Sequence, residues 1–198
     1  MQLNYGRQTV IVGVVLAGGL STRMGKDKAQ LRCSDSGLTL LQRAERLLAH
    51  ISPDPVLLSS NLSSTGIKDV FPQCGPLSGI HASSIAIREQ FPEATDAVFI
   101  PVDMPFLNED NITHLIECGR QQQRPCCYKN CYLPLYLPLN ADVFEYLHNT
   151  LLSKGNYSLR QMMESLNGLQ VTPNDRQNLI NINKPHEWQE FELNGLHN

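Results

Sequence analysis

A glycine-rich segment that lies between an apolar run and two basic side chains has the chemistry of a phosphate-binding loop. Gly18 and Gly19 follow the run Val10–Leu16 and carry no Cβ, so backbone N–H groups there can approach a ligand closely. Successive N–H groups in such a turn form a concavity that binds anions. Arg23 offers a planar fork to phosphate oxygens, and Lys28 offers a mobile point charge. Residues 16–28 are therefore a candidate phosphate loop, and the alternative is an ordinary glycine turn with solvated charges.

The spacing in this segment excludes the two commonest glycine-rich phosphate motifs. Five residues separate Gly19 from Gly25, where the P-loop requires four before Gly-Lys, and Asp27 follows Lys26 where the P-loop requires Ser or Thr. The dinucleotide motif G-x-G-x-x-G does not occur here either. If the loop binds phosphate, it therefore does so as a different class of site, and the ordinary glycine turn stays the alternative.

Asp103 is the second residue with a chemical role to consider. It stands between Pro101 and Pro105, directly after an apolar run, and the two prolines restrict the backbone on either side. A rigidly held carboxylate at the end of a strand suits Mg²⁺, which proteins bind through one or two carboxylates plus substrate phosphates. The alternative is an aspartate that caps a helix or a turn.

The elements that must position these residues follow from hydrophobic periodicity and capping residues. Leu40, Leu41, Ala44, Leu47, Leu48 and Ile51 form one helical face, and Thr39 with Gln42 predicts a capping box at its start. The other predicted helices lie at 81–90, after Asn108 or Asp110, after Asn140, at 158–166 and from Pro185. The predicted strands lie at Val10–Leu16, 56–59, 67–71, 96–102 and 179–182, with a strand pair over 125–137.

Strands alternate with helices through the first half of the chain, which predicts an α/β fold of three layers: a mostly parallel sheet flanked by helices on both faces. Ligands bind at the carboxyl ends of the strands in such sheets, and Gly18, Asn61 and Asp103 should all lie there. A chain of 198 residues suffices for one domain, which we assign to residues 10–195 after a flexible segment at 1–9.

Composition excludes several classes of function. The net charge is -3 with no long run of Lys or Arg, so we expect neither nucleic acid nor a membrane surface as a partner. No apolar run reaches the roughly 18 residues that span a bilayer. Residues 10–17 could belong to a signal peptide, but cleavage there would cut into the glycine loop, so a buried strand and a cytoplasmic protein are the better interpretation.

The six cysteines are expected to be free thiols. Only Cys126, Cys127 and Cys131 are spaced closely enough to suggest a metal or redox site, and no second pair of ligands follows at a useful distance. We therefore expect small core residues at these positions.

Several motifs in order resemble those of the molybdenum cofactor guanylyltransferases, a group within the nucleotidyltransferases of Rossmann-like fold. The first is the most specific, and it reads Leu16-Ala17-Gly18-Gly19-x-Ser21-x-Arg23-Met24-Gly25-x-Asp27-Lys28-Ala29. The others are Gly75-Pro76-Leu77-Ser78-Gly79, Pro101-x-Asp103-x-Pro105, Gly155-x-x-Ser158-Leu159-Arg160 and Asn181-Ile182-Asn183-x-Pro185. Together they cover nearly the whole chain.

The resemblance implies transfer of GMP from GTP to molybdopterin or its molybdenum form, giving molybdopterin guanine dinucleotide and pyrophosphate with Mg²⁺ as cofactor. It also implies roles for individual residues. Catalysis would involve Arg23, Lys28 and Asp103, with Asp103 binding the metal. The nucleotide would be contacted by Leu16, Ala17, Gly18, Gly19, Lys28, Asn61, Asp69 and Asp103, and the acceptor by Ser78, Asn181 and Asn183. Cofactor-assembly proteins and molybdoenzyme chaperones are the implied protein partners.

The chain departs from the family pattern at three positions. Ser59 replaces a common asparagine, Leu133 replaces the histidine of a His-Pro pair, and Lys184 replaces the threonine before the last proline. Lysine is a poor N-cap, so we hypothesise that Lys184 reaches an anionic ligand. The rival interpretations are a cytidylyltransferase or sugar-nucleotide transferase of the same fold, and a non-catalytic nucleotide-binding protein.

Overall fold

A computed structural model describes residues 10–18, 28–52 and 55–195 of the chain. The six strands are β1 Val10–Leu16, β2 Leu57–Ser59, β3 Ala94–Pro101, β4 Cys126–Tyr128, β5 Cys131–Pro138 and β6 Leu169–Val171. The six α-helices are α1 Leu40–Ala49, α2 Pro76–Gln90, α3 Glu109–Gln122, α4 Ala141–Leu152, α5 Leu159–Ser165 and α6 Pro185–Gly195, and short 3-10 helices lie at Lys28–Gln30 and Gln177–Leu179. The predicted flexible segment at 1–9 lies outside the described residues.

The strands form one sheet in the order β2-β1-β3-β5-β4-β6. The pairs β1–β2, β1–β3 and β4–β6 are parallel, whereas β5 runs antiparallel to both of its neighbours. The prediction of a mostly parallel sheet is confirmed, and the predicted strand pair over 125–137 is the hairpin of β4 and β5.

Helices cover both faces of this sheet, as the three-layer prediction requires. Along β1, Val12 and Val14 pack into a core with residues of α2, α4 and α5, while Ile11 and Val15 pack into a second core with residues of α1 and α3. Alternate residues of a strand point to opposite faces, so an unbroken apolar run is what a strand buried on both sides needs.

Three helices begin where their capping residues predict. Thr39 and Gln42 form the predicted capping box of α1, and Asn108, rather than Asp110, caps α3. Asn140 caps α4 by accepting a hydrogen bond from the N–H of Val143. These side chains satisfy N–H groups that have no partner inside the helix.

Two predicted strands are wrong. Within 67–71 only Ile67 makes an isolated bridge, to Ser59, and the rest is loop. Residues 179–182 form the end of a 3-10 helix and an extended segment, in which Ile182 donates a hydrogen bond to the carbonyl of Asp103 rather than joining the sheet. Apolar β-branched residues favour strands in both segments, but Val70 and Ile180 are exposed, and the residue types do not reveal whether a strand lies alongside to pair with.

Two further elements differ from the prediction. α2 begins at Pro76 instead of residue 81, because Gly75 with φ +62 turns the chain and proline is accommodated in the first helical turn. The edge strand β6 was not predicted.

Among the described residues, no helix is both long and apolar enough to span a membrane.

Candidate active site

The carboxyl ends of β1, β2 and β3 lie side by side at one edge of the sheet. Leu16 is in register with Ser59 on one side and with Pro101 on the other. Beyond the strands, the N–H of Ala17 donates to the carbonyl of Ser59 at 2.9 Å, and the N–H of Val102 donates to the carbonyl of Leu16 at 3.1 Å. The chain segments that leave the three strands are thus tied together, and the predicted convergence of polar sites on one edge is observed.

Lys28, Asp103 and Asn183 form the centre of the site. The Nζ of Lys28 donates to Oδ2 of Asp103 at 3.1 Å and to Oδ1 of Asn183 at 2.8 Å. The side chains of Lys28 and Asp103 are 14% and 20% exposed, so the ion pair is partly desolvated yet accessible from outside. Residues from the glycine loop, from the segment after β3 and from the C-terminal segment therefore meet at one point.

A small apolar cluster fixes the segments that carry these side chains. Its buried members are Cys33, Leu40, Ile182 and Phe191, with Leu31, Val102, Phe106 and Trp188 packed against them. The cluster joins α6 to α1 and to the segment that contains Asp103. Arg43 of α1 adds a hydrogen bond from Nε to the carbonyl of Pro105 at 2.9 Å. The site is thus supported by packing on the side away from solvent.

Asn61 and Asp69 form a second polar pair beside β2. Nδ2 of Asn61 donates to Oδ2 of Asp69 at 2.7 Å, and the N–H of Asp69 donates to Oδ1 of Asn61 at 2.9 Å. The ammonium of Lys68 donates to the carbonyls of Ser60, Asn61 and Ser63, which closes the loop between them. Asp69 is thereby held at the sheet edge with its Oδ1 near α2, 3.7 Å from where a Cβ on Gly79 would lie.

The remaining predicted site residues differ in their placement. Leu16 and Ala17 are buried at the end of β1, and Gly18 is exposed immediately after them. Ser78 is fully buried in α2, and its Oγ has no hydrogen-bond partner among the described atoms. Asn181 is exposed, two residues before Asn183. Gly19 and Arg23 lie outside the described residues.

The donor atoms at the centre fit a divalent cation. The carboxylate of Asp103 and the amide oxygen of Asn183 both accept from one ammonium group, so two oxygens already converge on a single positive charge. Oxygen ligands of these two types suit Mg²⁺, which also keeps waters and takes phosphate oxygens from its substrate. Within the described part of the chain, no cluster of three or more His, Cys, Asp or Glu side chains could hold a metal by itself. Any metal bound here would depend on the nucleotide for further ligands.

No cysteine belongs to the centre formed by Lys28, Asp103 and Asn183, although Cys33 is a buried member of the apolar cluster beside it. All six are unpaired. Cys126 packs into the core beneath α1 and α3, and Cys127 packs into the core on the opposite face of the sheet, so they cannot share a metal ion. Burial raises the pKa of each of these two thiols to about 12. The metal or redox interpretation is wrong for this pair.

Glu187 is a site residue that the sequence interpretation missed. Its Oε2 accepts from the N–H of Asn183 at 2.6 Å and from the N–H of Lys184 at 3.0 Å. The Lys184 side chain is exposed at the start of α6. The signal that could have revealed Glu187 is an acidic residue three positions after a poor capping residue, where its side chain can reach back to free N–H groups.

Comparison with known proteins identifies the family of the chain. The sequence model of the MobA-like NTP transferase domain matches residues 13–170. A relative from Xanthomonas euvesicatoria pv. vesicatoria (strain 85-10), named molybdenum cofactor guanylyltransferase, is 38% identical over 182 residues, which are 89% of this chain and 91% of that protein.

Solved structures support the same fold. Molybdopterin-guanine dinucleotide biosynthesis protein A from Archaeoglobus fulgidus is 20% identical with a TM-score of 0.72, over 94% of this chain and 99% of the other. The 2-C-methyl-D-erythritol 4-phosphate cytidylyltransferase from Thermus thermophilus is 14% identical with a TM-score of 0.67, over 94% of this chain and 100% of the other. The Rossmann-like nucleotidyltransferase fold predicted from the sequence is confirmed.

Proposed function

The chain belongs to the MobA-like NTP transferase family and is a nucleotidyltransferase, and from that premise we propose that it transfers GMP from GTP to molybdopterin or its molybdenum form. A terminal phosphate oxygen of the acceptor would attack the α-phosphorus of GTP. The bond from that phosphorus to the bridging oxygen would break, and pyrophosphate would leave. The products are molybdopterin guanine dinucleotide and pyrophosphate.

The observation that carries this proposal is the convergence of Lys28, Asp103 and Asn183 at the carboxyl edge of the sheet. Phosphoryl-type transfers ask little covalent work of a protein, and they depend on positioning and on neutralising charge. A Mg²⁺ ion held by Asp103 and Asn183 would supply charge neutralisation at the triphosphate. The Lys28 ammonium, with Arg23, would add positive charge for phosphate oxygens.

The same proposal assigns the nucleotide contacts. The backbone of Leu16, Ala17, Gly18 and Gly19 would approach the nucleotide where the chain leaves β1, because glycine there leaves N–H groups accessible. Asn61 would act through Asp69, whose carboxylate it holds at 2.7 Å. Guanine carries two neighbouring N–H donors on its pairing edge, and a fixed carboxylate can accept from both, whereas cytosine offers one donor group there. The Asn61–Asp69 pair therefore supports guanine over cytosine.

Ligand-dependent thermal unfolding tests the choice of base. A ligand that binds only the folded state raises its stability according to its affinity. GTP with Mg²⁺ should raise the unfolding temperature more than CTP, UTP or ATP at equal concentration, and Asp103→Asn should remove the Mg²⁺-dependent part of the shift. A larger shift with CTP or UTP would overturn the guanylyl assignment in favour of a cytidylyltransferase or a sugar-nucleotide transferase.

The acceptor side and the cellular setting complete the proposal. Asn181 and Asn183 are the proposed acceptor contacts, which the order of the family motifs supports, whereas Ser78, the third residue that the resemblance implies, is fully buried in α2 and offers no surface to an acceptor in this structure. We propose that the product passes by direct contact to cofactor-assembly proteins and molybdoenzyme chaperones, and that this takes place in the cytoplasm. The six unpaired cysteines support a reducing compartment.

A further inference from the structure

The first turn of α6 lacks the usual capping side chain. Lys184 precedes Pro185, and a lysine offers no acceptor to the free N–H groups of a helix start. The carboxylate of Glu187, in the first turn, supplies only the reciprocal half of a capping box, because it accepts from the N–H groups of Lys184 and Asn183, which precede the helix. The hypothesis that Lys184 reaches an anionic ligand stays a prediction.

Two sets of contacts hold Asn183 in place. They are the hydrogen bonds to Glu187 and the contact of its neighbour Ile182 with the segment that contains Asp103. The neighbouring residue Ile182 is buried and donates its N–H to the carbonyl of Asp103 at 2.8 Å. The N–H of Asn183 itself donates to Glu187 at 2.6 Å. The N–H groups of Asn183 and Lys184 belong to the two peptide groups that flank the Asn183 Cα, and both donate to Glu187, which directs the Asn183 amide oxygen to the Nζ of Lys28 at 2.8 Å.

The position of Glu187 is fixed because its helix, α6, packs against the segment that follows Asp103. Phe191, one turn further along α6, is buried and stacks edge-on against Phe106 with ring centroids 5.1 Å apart. Phe106 belongs to the segment that follows Asp103. A movement of α6 would therefore disturb this contact, and the Glu187 carboxylate keeps a defined distance from the site.

We propose that Glu187 is a positioning residue of the nucleotidyl-transfer site, acting through the backbone of Asn183 to hold the Asn183 amide against Lys28 and Asp103. The proposal rests on the proposed function of this site. The Glu187 carboxylate binds backbone N–H groups, so its effect on the site must pass through the side chain of Asn183. This requirement separates it from a residue that only stabilises a helix.

Three single variants test whether activity requires the hydrogen bonds that Glu187 accepts. Glu187→Ala removes the acceptor, Glu187→Gln keeps an oxygen at the same position, and Glu190→Ala is the control, because Glu190 is an exposed acid on the same helix. We expect Glu187→Ala to lower kcat/KM for GTP by roughly ten- to hundredfold, the scale on which a small misplacement acts. Glu187→Gln should stay within about threefold of wild type, since a neutral oxygen still accepts both hydrogen bonds. Equal losses in Glu187→Ala and Glu190→Ala, or in Glu187→Ala and Glu187→Gln, would overturn the proposal.

A double-mutant cycle with Asn183→Ala distinguishes positioning from stability. Residues that act as one unit are not additive, whereas independent residues are. In the Asn183→Ala background, Glu187→Ala should lower kcat/KM no further, although both changes should still add in the free energy of unfolding. Full additivity in kcat/KM would show that Glu187 acts without Asn183 and would overturn the proposal.

Measurements on the wild-type protein separate the test of the Glu187 role from the test of the proposed function. The same cycle is measured by isothermal titration with whichever Mg²⁺-nucleotide binds wild type most tightly. If that nucleotide is not GTP, the guanylyl assignment fails. The coupling between Glu187 and Asn183 can still be calculated from the affinities of wild type and the variants for the nucleotide that does bind. If wild type binds no nucleotide, both proposals are overturned.

Discussion

Gly119 in α3 faces the ring of Tyr136 in β5, and this contact makes a sharp test of the packing between helix and sheet. A Cβ on Gly119 would lie 2.8 Å from Cγ of Tyr136 and closer still to Cδ1 and Cε1. Carbon atoms in contact normally lie about 3.5–4.0 Å apart. Tyr136 is fully buried, and its hydroxyl donates to Oδ1 of Asp96 at 2.7 Å, so the ring has little room to withdraw. Gly119→Ala should therefore be strongly destabilising.

The size of the effect follows from three contributions. Overpacking a buried site costs about 1–3 kcal/mol. Moving the ring weakens its hydrogen bond to the Asp96 carboxylate, a class of bond that contributes about 1.5–3 kcal/mol. Alanine recovers about 1 kcal/mol over glycine in a helix. The net loss is about 1.5–5 kcal/mol, which in a chain of this length lowers the unfolding temperature by roughly 3–20 °C.

Urea and thermal unfolding of four variants test this account. Gly155→Ala is the control, because a Cβ there would meet its nearest neighbour at an ordinary 3.5 Å. The cost of Gly119→Ala should fall by more than half in a Tyr136→Leu background, where the ring is absent. The turnover per folded molecule should stay near wild type, because Asp96 lies near the start of β3 and the site follows its end. A Gly119→Ala variant as stable as Gly155→Ala, or an equal cost in both backgrounds, would refute the reasoning.

Three further outcomes are expected. Lys28→Met should bind Mn²⁺ more tightly than wild type without nucleotide, as read by electron paramagnetic resonance, because the Lys28 ammonium occupies both oxygens of the proposed metal site; equal or weaker binding would contradict this. Cys126 and Cys127 should resist iodoacetamide at about pH 8 until the protein unfolds, because burial raises their pKa; fast labelling of the native protein would contradict it. The pKa of Glu187 is lowered on folding, so its charge stabilises the protein at neutral pH and that contribution is lost as pH falls. The stability difference between wild type and Glu187→Gln should accordingly shrink between about pH 6 and pH 3, and a constant difference would argue against an ionised acceptor.

Local signals in the sequence predict most of the framework. The unbroken run Val10–Leu16 predicts a strand buried on both faces, and Thr39, Asn108 and Asn140 mark the starts of three helices. Each of these signals depends only on residues close together in the chain. The failures occur where the outcome depends on a distant partner. Residues 179–182 contact Asp103 instead of a strand, and β6 is a three-residue edge strand whose residues carry little periodicity.

Some residues of the candidate site could likewise be predicted from local sequence signals, whereas the contacts between distant residues could not. The glycine loop and the aspartate between prolines are visible from residue types alone, and the family motifs indicate that Asn183 belongs with them. No spacing rule indicates that Lys28 bonds both Asp103 and a residue 155 positions away. Glu187 stands three residues after Lys184, which is a local capping signal, but its connection to the site depends on Asn183 lying beside Lys28, which only the folded chain establishes.

The most direct test of the proposed function is pyrophosphate release from GTP and molybdopterin with Mg²⁺, measured on wild type and on Asp103→Ala with the fold of each verified by circular dichroism. Wild type should release one pyrophosphate for each molybdopterin guanine dinucleotide formed, and Asp103→Ala should remain folded with turnover lost. A folded wild type without turnover would indicate a non-catalytic nucleotide-binding protein. Full activity in Asp103→Ala would contradict the metal-binding role on which this account of the site depends.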